Sequence, residues 1–283
     1  MSNRAVVNAV FINSARSATV LCGFVLAFLI GVIVWNGMNA MNIQFLLSAA
    51  RNFGASGGIL YQIIGSLLLV VMASVLVLPV AIGTALFKSE YISSPTLFRI
   101  SNTLIYSLNG IPSVTFGIFG LIFFVNVLGT GISWFVGSII LAIMMLPTIV
   151  LTTYQSINSI PSAYREAAYA LGLTRWQVIW RVLLPQGIHG AITGLLIALA
   201  RAIGETAPIM FIATAFSGIN LPGALNDPVV TLPTHILALA QQATNPDALQ
   251  NAWGASLVLL TLVFIFSISA LFSRMHLKEI SRR

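Results

Sequence analysis

Charge is what this sequence has least of. Its 283 residues include six acids and thirteen basic side chains, 7% charged in all, where soluble domains run near 25%. With 58% apolar residues and a mean hydropathy of +0.98, that scarcity excludes a soluble globular domain and places the chain among membrane proteins. The one cysteine, Cys22, falls in an apolar run, so neither a disulfide framework nor a thiolate metal set is available. Three scattered histidines, His189, His235 and His276, have no acid or thiol at ligand spacing, which argues against a metal centre. Neither lysine, Lys88 or Lys278, follows a glycine, so the chain has no ATPase phosphate loop of its own. No Ser–His–Asp grouping is visible, and no cofactor is expected. A net charge of +7 is a nucleic-acid signature only when clustered, and here the basic residues lie between apolar spans rather than in one patch, which excludes it.

What is present is a series of apolar runs. About 20 such residues cross a bilayer as a helix, and six stretches qualify: 18–38, 61–87, 100–128, 133–156, 188–216 and 252–273. The first is too long for a signal-peptide core and reads as a retained helix. In the third, Asn109, Gly110 and Pro112 predict a kink or break. Asn109, Ser113 and Thr115 then either satisfy the backbone groups freed there or line a pathway. The excess of Lys and Arg marks the cytoplasmic side. With the N-terminus inside, the inner segments hold Arg4, Arg16, Lys88, Arg99, Arg165, Arg175, Arg181, Arg274, Lys278, Arg282 and Arg283, eleven of the thirteen basic residues. Both termini are therefore expected in the cytoplasm. Outside, residues 39–60 read as a Gly-rich linker, and 217–251 as a long structured loop with a short helix at 232–243.

The inner loop "SIPSAYREAAYALGLTRWQVIWRVLLPQG", residues 159–187, predicts two short helices. Pro161 suits a helix start, and Gly172 suits the left-handed position after a helix end. Thr174 and Gln177 form a capping box for the second helix. Pro185 marks its end or the entry to the next span. The first helix is alanine-rich, with Tyr164, Tyr169 and Leu171 as anchors for a partner groove. An amphipathic helix lying on the inner leaflet accounts for the same pattern.

The fifth span carries Arg201 and Glu205, four residues apart and on one face of a helix. An intramembrane charge costs about 2.5–3.5 kcal/mol on insertion scales. One reading is an ion pair that neutralises itself at a packed interface. The other is anion handling, in which the planar guanidinium grips an oxyanion. Glu205 would then orient Arg201 or hold its affinity low, or donate a proton of its own. Gly194, Ala198, Ala202 and Gly204 keep this helix slim, and Pro208 predicts a kink.

Glu166-Ala167-Ala168, Gly172 and Val182-x-Leu184-Pro185 resemble the EAA loop of ABC importer permeases, with Val182 where that family has Ile. "ARAIGETAP" (200–208) and "REAAYALG" (165–172) resemble phosphate ABC permeases. "LPTHI" (232–236) and "AWGASLVLL" (252–260) resemble their PstA-type rather than PstC-type subunits. The resemblance runs from about residue 60 to 273. It implies an all-α polytopic membrane protein with six transmembrane helices and a type I ABC importer permease core. That core is residues 59–273, with its coupling loop at 157–187. It is preceded by an N-terminal helix and outer loop (1–58) and followed by a cytoplasmic tail (274–283). Glu166, Ala167, Ala168 and Gly172 would couple to a separate ATPase, and Arg201, Glu205 and Thr206 would line the substrate pathway. The implied partners are a PstC-like permease, a PstB-like ATPase dimer, a PstS-like phosphate-binding protein, and inorganic phosphate, all at the inner membrane. The chain would itself be no enzyme. The rivals are a permease for phosphonate, sulfate or molybdate, an intramembrane enzyme using Glu205, and a channel without ATP coupling.

Overall fold

The computed structural model describes residues 3–214, 221–242 and 244–280. The end of the expected fifth span (215–216), the first residues of the outer loop, and Arg282 and Arg283 lie outside the described residues.

Long apolar runs with few helix breakers form long helices. Those long enough to cross a bilayer are α1 (Asn3–Gly37), α3 (Leu60–Glu90), α6 (Trp134–Asn158), a helix spanning Arg175–Ala202, and α12 (Pro246–Ile280). The third expected span is instead two helices, α4 (Pro95–Gly110) and a second running from Ser113 to Val127, bent by 92°. The bend falls at Ile111–Pro112, whose extended backbone follows from the missing proline N–H and the restriction on the residue before it. The side chains of Asn109, Ser113 and Thr115 bond to none of the described residues, so they do not satisfy the freed backbone groups.

α6 is the central helix, packed against α3 and the Arg175–Ala202 helix around Leu69, Ile140, Leu141, Ile149 and Leu183. Helix association in lipid depends on close packing rather than on apolar burial. The sequence provides for this with Gly187, Gly190 and Gly194, which lie directly against Ile157, Ser156 and Thr152 of α6. Around this core the exposed side chains are apolar: Phe24 and Phe28 of α1 and Ile265 and Phe272 of α12 are 53–67% exposed on the outside of the bundle. A soluble protein does not show a belt of this size, and lipid provides the missing cover.

The segment 39–60 is not a linker. Asn42 caps α2 (Ile43–Leu47) by accepting from the Phe45 amide at 2.6 Å. β1 (Ala50–Arg51) and β2 (Ser56–Gly57) then pair antiparallel. Phe45 and Ile59 are buried with Leu232, and Asn251 of α12 donates to the Gly54 carbonyl at 2.9 Å. Composition alone hid the two buried anchors that make this segment part of the bundle. Its Gly54 (φ +94°) lies against His235 of α11 (Leu232–Ala240), where any Cβ would collide with the ring.

His235 Nδ1 lies 3.5 Å from the Gln62 amide nitrogen, and its Nε2 is buried without a partner among the described residues. Burial lowers its pKa from 6.5 to about 4. The unfolded chain thus binds a proton near pH 6.5 that the folded chain refuses until near pH 4. Stability contributed by the neutral ring is complete above pH 6.5 and is lost as the pH falls towards 4, by up to about 3 kcal/mol. Melting curves of the wild type should therefore drop between pH 7 and pH 5, and His235→Asn should flatten that dependence. An equal drop in the variant would assign the acid sensitivity to other groups.

Candidate functional site

The Arg175–Ala202 helix ends abruptly. Pro208 lacks an N–H, and its ring opposes the carbonyl four residues back, that of Gly204, so an α-helix cannot run straight through 204–208. The chain instead tightens: Gly204 and Glu205 donate to the carbonyls of Arg201 and Ala202 at 3.1 and 3.2 Å. It then leaves the helix and resumes as α10 (Ala207–Ile212). The expected uninterrupted span with a kink at Pro208 is thus a break at 203–206. Arg201 stands in the last helical turn, and Glu205 lies beyond it. They do not share a helix face, yet they still meet, Nε to Oε1 at 3.4 Å.

The pair is lopsided: the guanidinium side chain is 49% exposed and the carboxylate side chain 14%. The bond to Glu205 uses Nε, and the terminal Nη donors have no partner among the described residues. Leu141, Met144, Met145 and Thr148 of α6 form the facing wall of a crevice that also contains Ala198 and Ala202. Thr148 was not anticipated, although its place one helical turn from Met144 and Met145 on the most buried span is a periodic signal. Thr206 turns its hydroxyl to the Gly204 carbonyl at 3.4 Å and does not border this crevice.

The loop at 159–187 folds as its local sequence predicts at first and then departs. α7 (Ser162–Ala170) ends with Gly172 at φ +78°, where Gly172 donates to the Tyr169 carbonyl at 2.9 Å and Leu173 to that of Ala168 at 3.2 Å. This is the Schellman closure that needs a glycine. Glu166 and Ala167 are exposed and Ala168 is buried, while Tyr164, Tyr169 and Leu171 are large exposed groups. The Thr174–Gln177 capping box is formed. The helix it opens, α8 (Arg175–Val178), does not stop at Pro185. It passes through a π-helical turn, Ile179–Leu183, into α9 (Leu184–Ala202). That wider turn absorbs the bond that Pro185 cannot donate. The second short helix is therefore the base of the fifth span, so α8 and the Arg201 break belong to one rod.

Arg165 anchors α7 to the bundle. Its Nε lies 3.2 Å from Glu90 Oε1 at the end of α3, and its Nη1 and Nη2 donate to the carbonyls of Ile160 and Ile157, each at 3.2 Å. Arg175 stacks over Tyr91 at 5.3 Å. Glu90 is 75 residues from Arg165. Nothing local in the sequence signalled this pair.

The profile of the binding-protein-dependent transport system inner membrane component matches residues 77–277. The chain belongs to this family. The probable ABC transporter permease protein YqgI of Bacillus subtilis is 32% identical over 265 residues, 88% of this chain and 90% of that one. The phosphate transport system permease protein PstA of Mycobacterium leprae is 33% identical over 210 residues, 74% of this chain and 67% of that one. These relatives make the chain a PstA-type ABC permease. A chain of a bacterial alginate ABC transporter, solved with a pentasaccharide-bound periplasmic protein, superimposes with a TM-score of 0.66 over 98% of this chain and 97% of that one, at 17% identity. The permease fold is thus retained with little shared sequence.

Proposed function

We infer that this permease forms the pathway of an ATP-driven inorganic phosphate importer in the inner membrane. It acts as the PstA-like partner of a PstC-like permease, driven by a PstB-like ATPase dimer and supplied by a PstS-like phosphate-binding protein. The observation that carries this reading is Arg201: a permanent cation at a break in a membrane helix, with Nη donors uncommitted among the described residues. A guanidinium fork matches two oxygens of a phosphate. Glu205 competes for the same group, which keeps binding weak enough for release, as conduction requires. Relatives named for phosphate transport support the choice of cargo.

α7 is the coupling helix, with Glu166, Ala167, Ala168 and Gly172 in the ATPase cleft. Its movement passes through α8 along the rod that ends at Arg201. The pathway opens outward when ATP closes the ATPase dimer and inward after hydrolysis. Both termini are cytoplasmic. Selectivity between phosphate and sulfate belongs mainly to the external protein, because one Arg does not separate them.

The test is uptake of labelled phosphate by the reconstituted complex with ATP inside and binding protein outside, against excess sulfate, molybdate or phosphonate. Uptake that requires ATP and is reduced only by unlabelled phosphate is the expected result. Uptake abolished by another oxyanion assigns the cargo to that anion. Uptake without ATP makes the chain a channel.

A further inference from the structure

Lys88 lies in the last turn of α3, at the coupling end of the bundle, and is 2% exposed. No carboxylate among the described residues pairs with it. Its Nζ donates instead to Asn102 Oδ1 at 2.5 Å and sits 4.3 Å above the Tyr154 ring and 5.2 Å from that of Phe98. Asn102 and Phe98 belong to α4, and Tyr154 belongs to α6.

α4 is held to the bundle by a narrow stripe. Ile105 is its buried residue; Asn102 one turn and Phe98 two turns earlier are half-buried, as are Ser101 and Leu108 on the same side, and Leu97, Leu104 and Tyr106 are exposed. Two of these five stripe residues, Phe98 and Asn102, contact Lys88. The next residue, Ser89, donates to Asn158 at the end of α6 at 3.0 Å, and Glu90 after it takes Arg165 of α7. Three consecutive residues thus tie α4, α6 and the coupling helix to one end of α3.

A methionine at position 88 would fill this space without desolvating an ammonium, and burying a charge is costly where no opposite charge repays it. Amide and cation–π contacts differ from apolar packing in being directional. They hold α4 at one angle and let go when that angle changes.

We propose that Lys88 is a positioning residue that passes movement of the coupling helix to α4, the first arm of the bent span. The proposal rests on the reading of α7 as the element driven by the ATPase. Its test uses the full complex in lipid with Lys88→Met and Lys88→Arg, each with an environment-sensitive label at Leu104→Cys in a Cys22→Ser background. Lys88→Met should assemble with an unlowered melting temperature and hydrolyse ATP. Its label should no longer respond to ATP, and phosphate moved per ATP should fall about tenfold. Lys88→Arg, which keeps the charge and the amide contact, should recover most of both signals. Wild-type coupling in Lys88→Met would overturn the proposal, as would loss of assembly in it, which would make Lys88 structural only. If the wild-type complex moves no phosphate, the cargo assignment fails by itself, because the label response needs ATP and no cargo.

Discussion

Arg201→Ala is expected to cut phosphate uptake by about 100-fold, the scale of losing a charge-assisted contact to an anion of roughly 1.5–3 kcal/mol. The substitution also leaves Glu205 without its partner, and the Glu205 side chain is 14% exposed. A half-buried carboxylate left unpaired lowers stability by itself, so the single variant confounds two effects. Arg201→Ala with Glu205→Gln separates them. The double variant should assemble and melt like the wild type and still fail to move phosphate. Arg201→Lys keeps the charge but loses the fork, and it should fall between the two. Restored uptake in the double variant would reduce the pair to a structural ion pair, and wild-type uptake in Arg201→Ala would remove Arg201 from the pathway.

Arg165→Ala is expected to release the ATPase subunits and bring ATP-driven uptake to background. Arg165 makes three contacts at 3.2 Å that orient α7 on the end of α3. Its partner Glu90 has a side chain only 8% exposed, and stranding that carboxylate lowers stability. Co-purification of the ATPase and the melting temperature should both fall. Glu90→Gln in the same chain should recover part of the melting temperature, because it removes the stranded charge. It should not recover uptake, because the carbonyls of Ile157 and Ile160 still lack their donor. An Arg165→Ala complex that keeps its ATPase and full uptake would show that α7 is positioned without this anchor.

Both sites were legible in the sequence to different depths. Gly172, the Thr174–Gln177 box and the start of α7 follow from rules acting over a few residues, and each is found where those rules place it. The Arg201–Glu205 contact was also anticipated, but through the wrong geometry. Four residues apart on a continuous helix would put the side chains on one face; the helix ends at Ala202, and the chain turning back after Gly204 brings Glu205 to Arg201. Pro208 carried the signal for that break, and whether a proline kinks or ends a helix depends on the neighbours that take up the freed groups.

By itself the sequence determined that this is a bundle of membrane helices, where the loop at 159–187 turns, and that Arg201 and Glu205 meet. These are consequences of composition, helical period and backbone sterics, and each acts within one segment. Only the tertiary structure decided that α8 and α9 form one rod, that the segment 39–60 is anchored by Phe45 and Ile59, and that Lys88, Ser89 and Glu90 gather α4, α6 and α7. Contacts of that kind join residues tens of positions apart. Their energy exists only once two elements are already placed, so no local pattern along the chain records them.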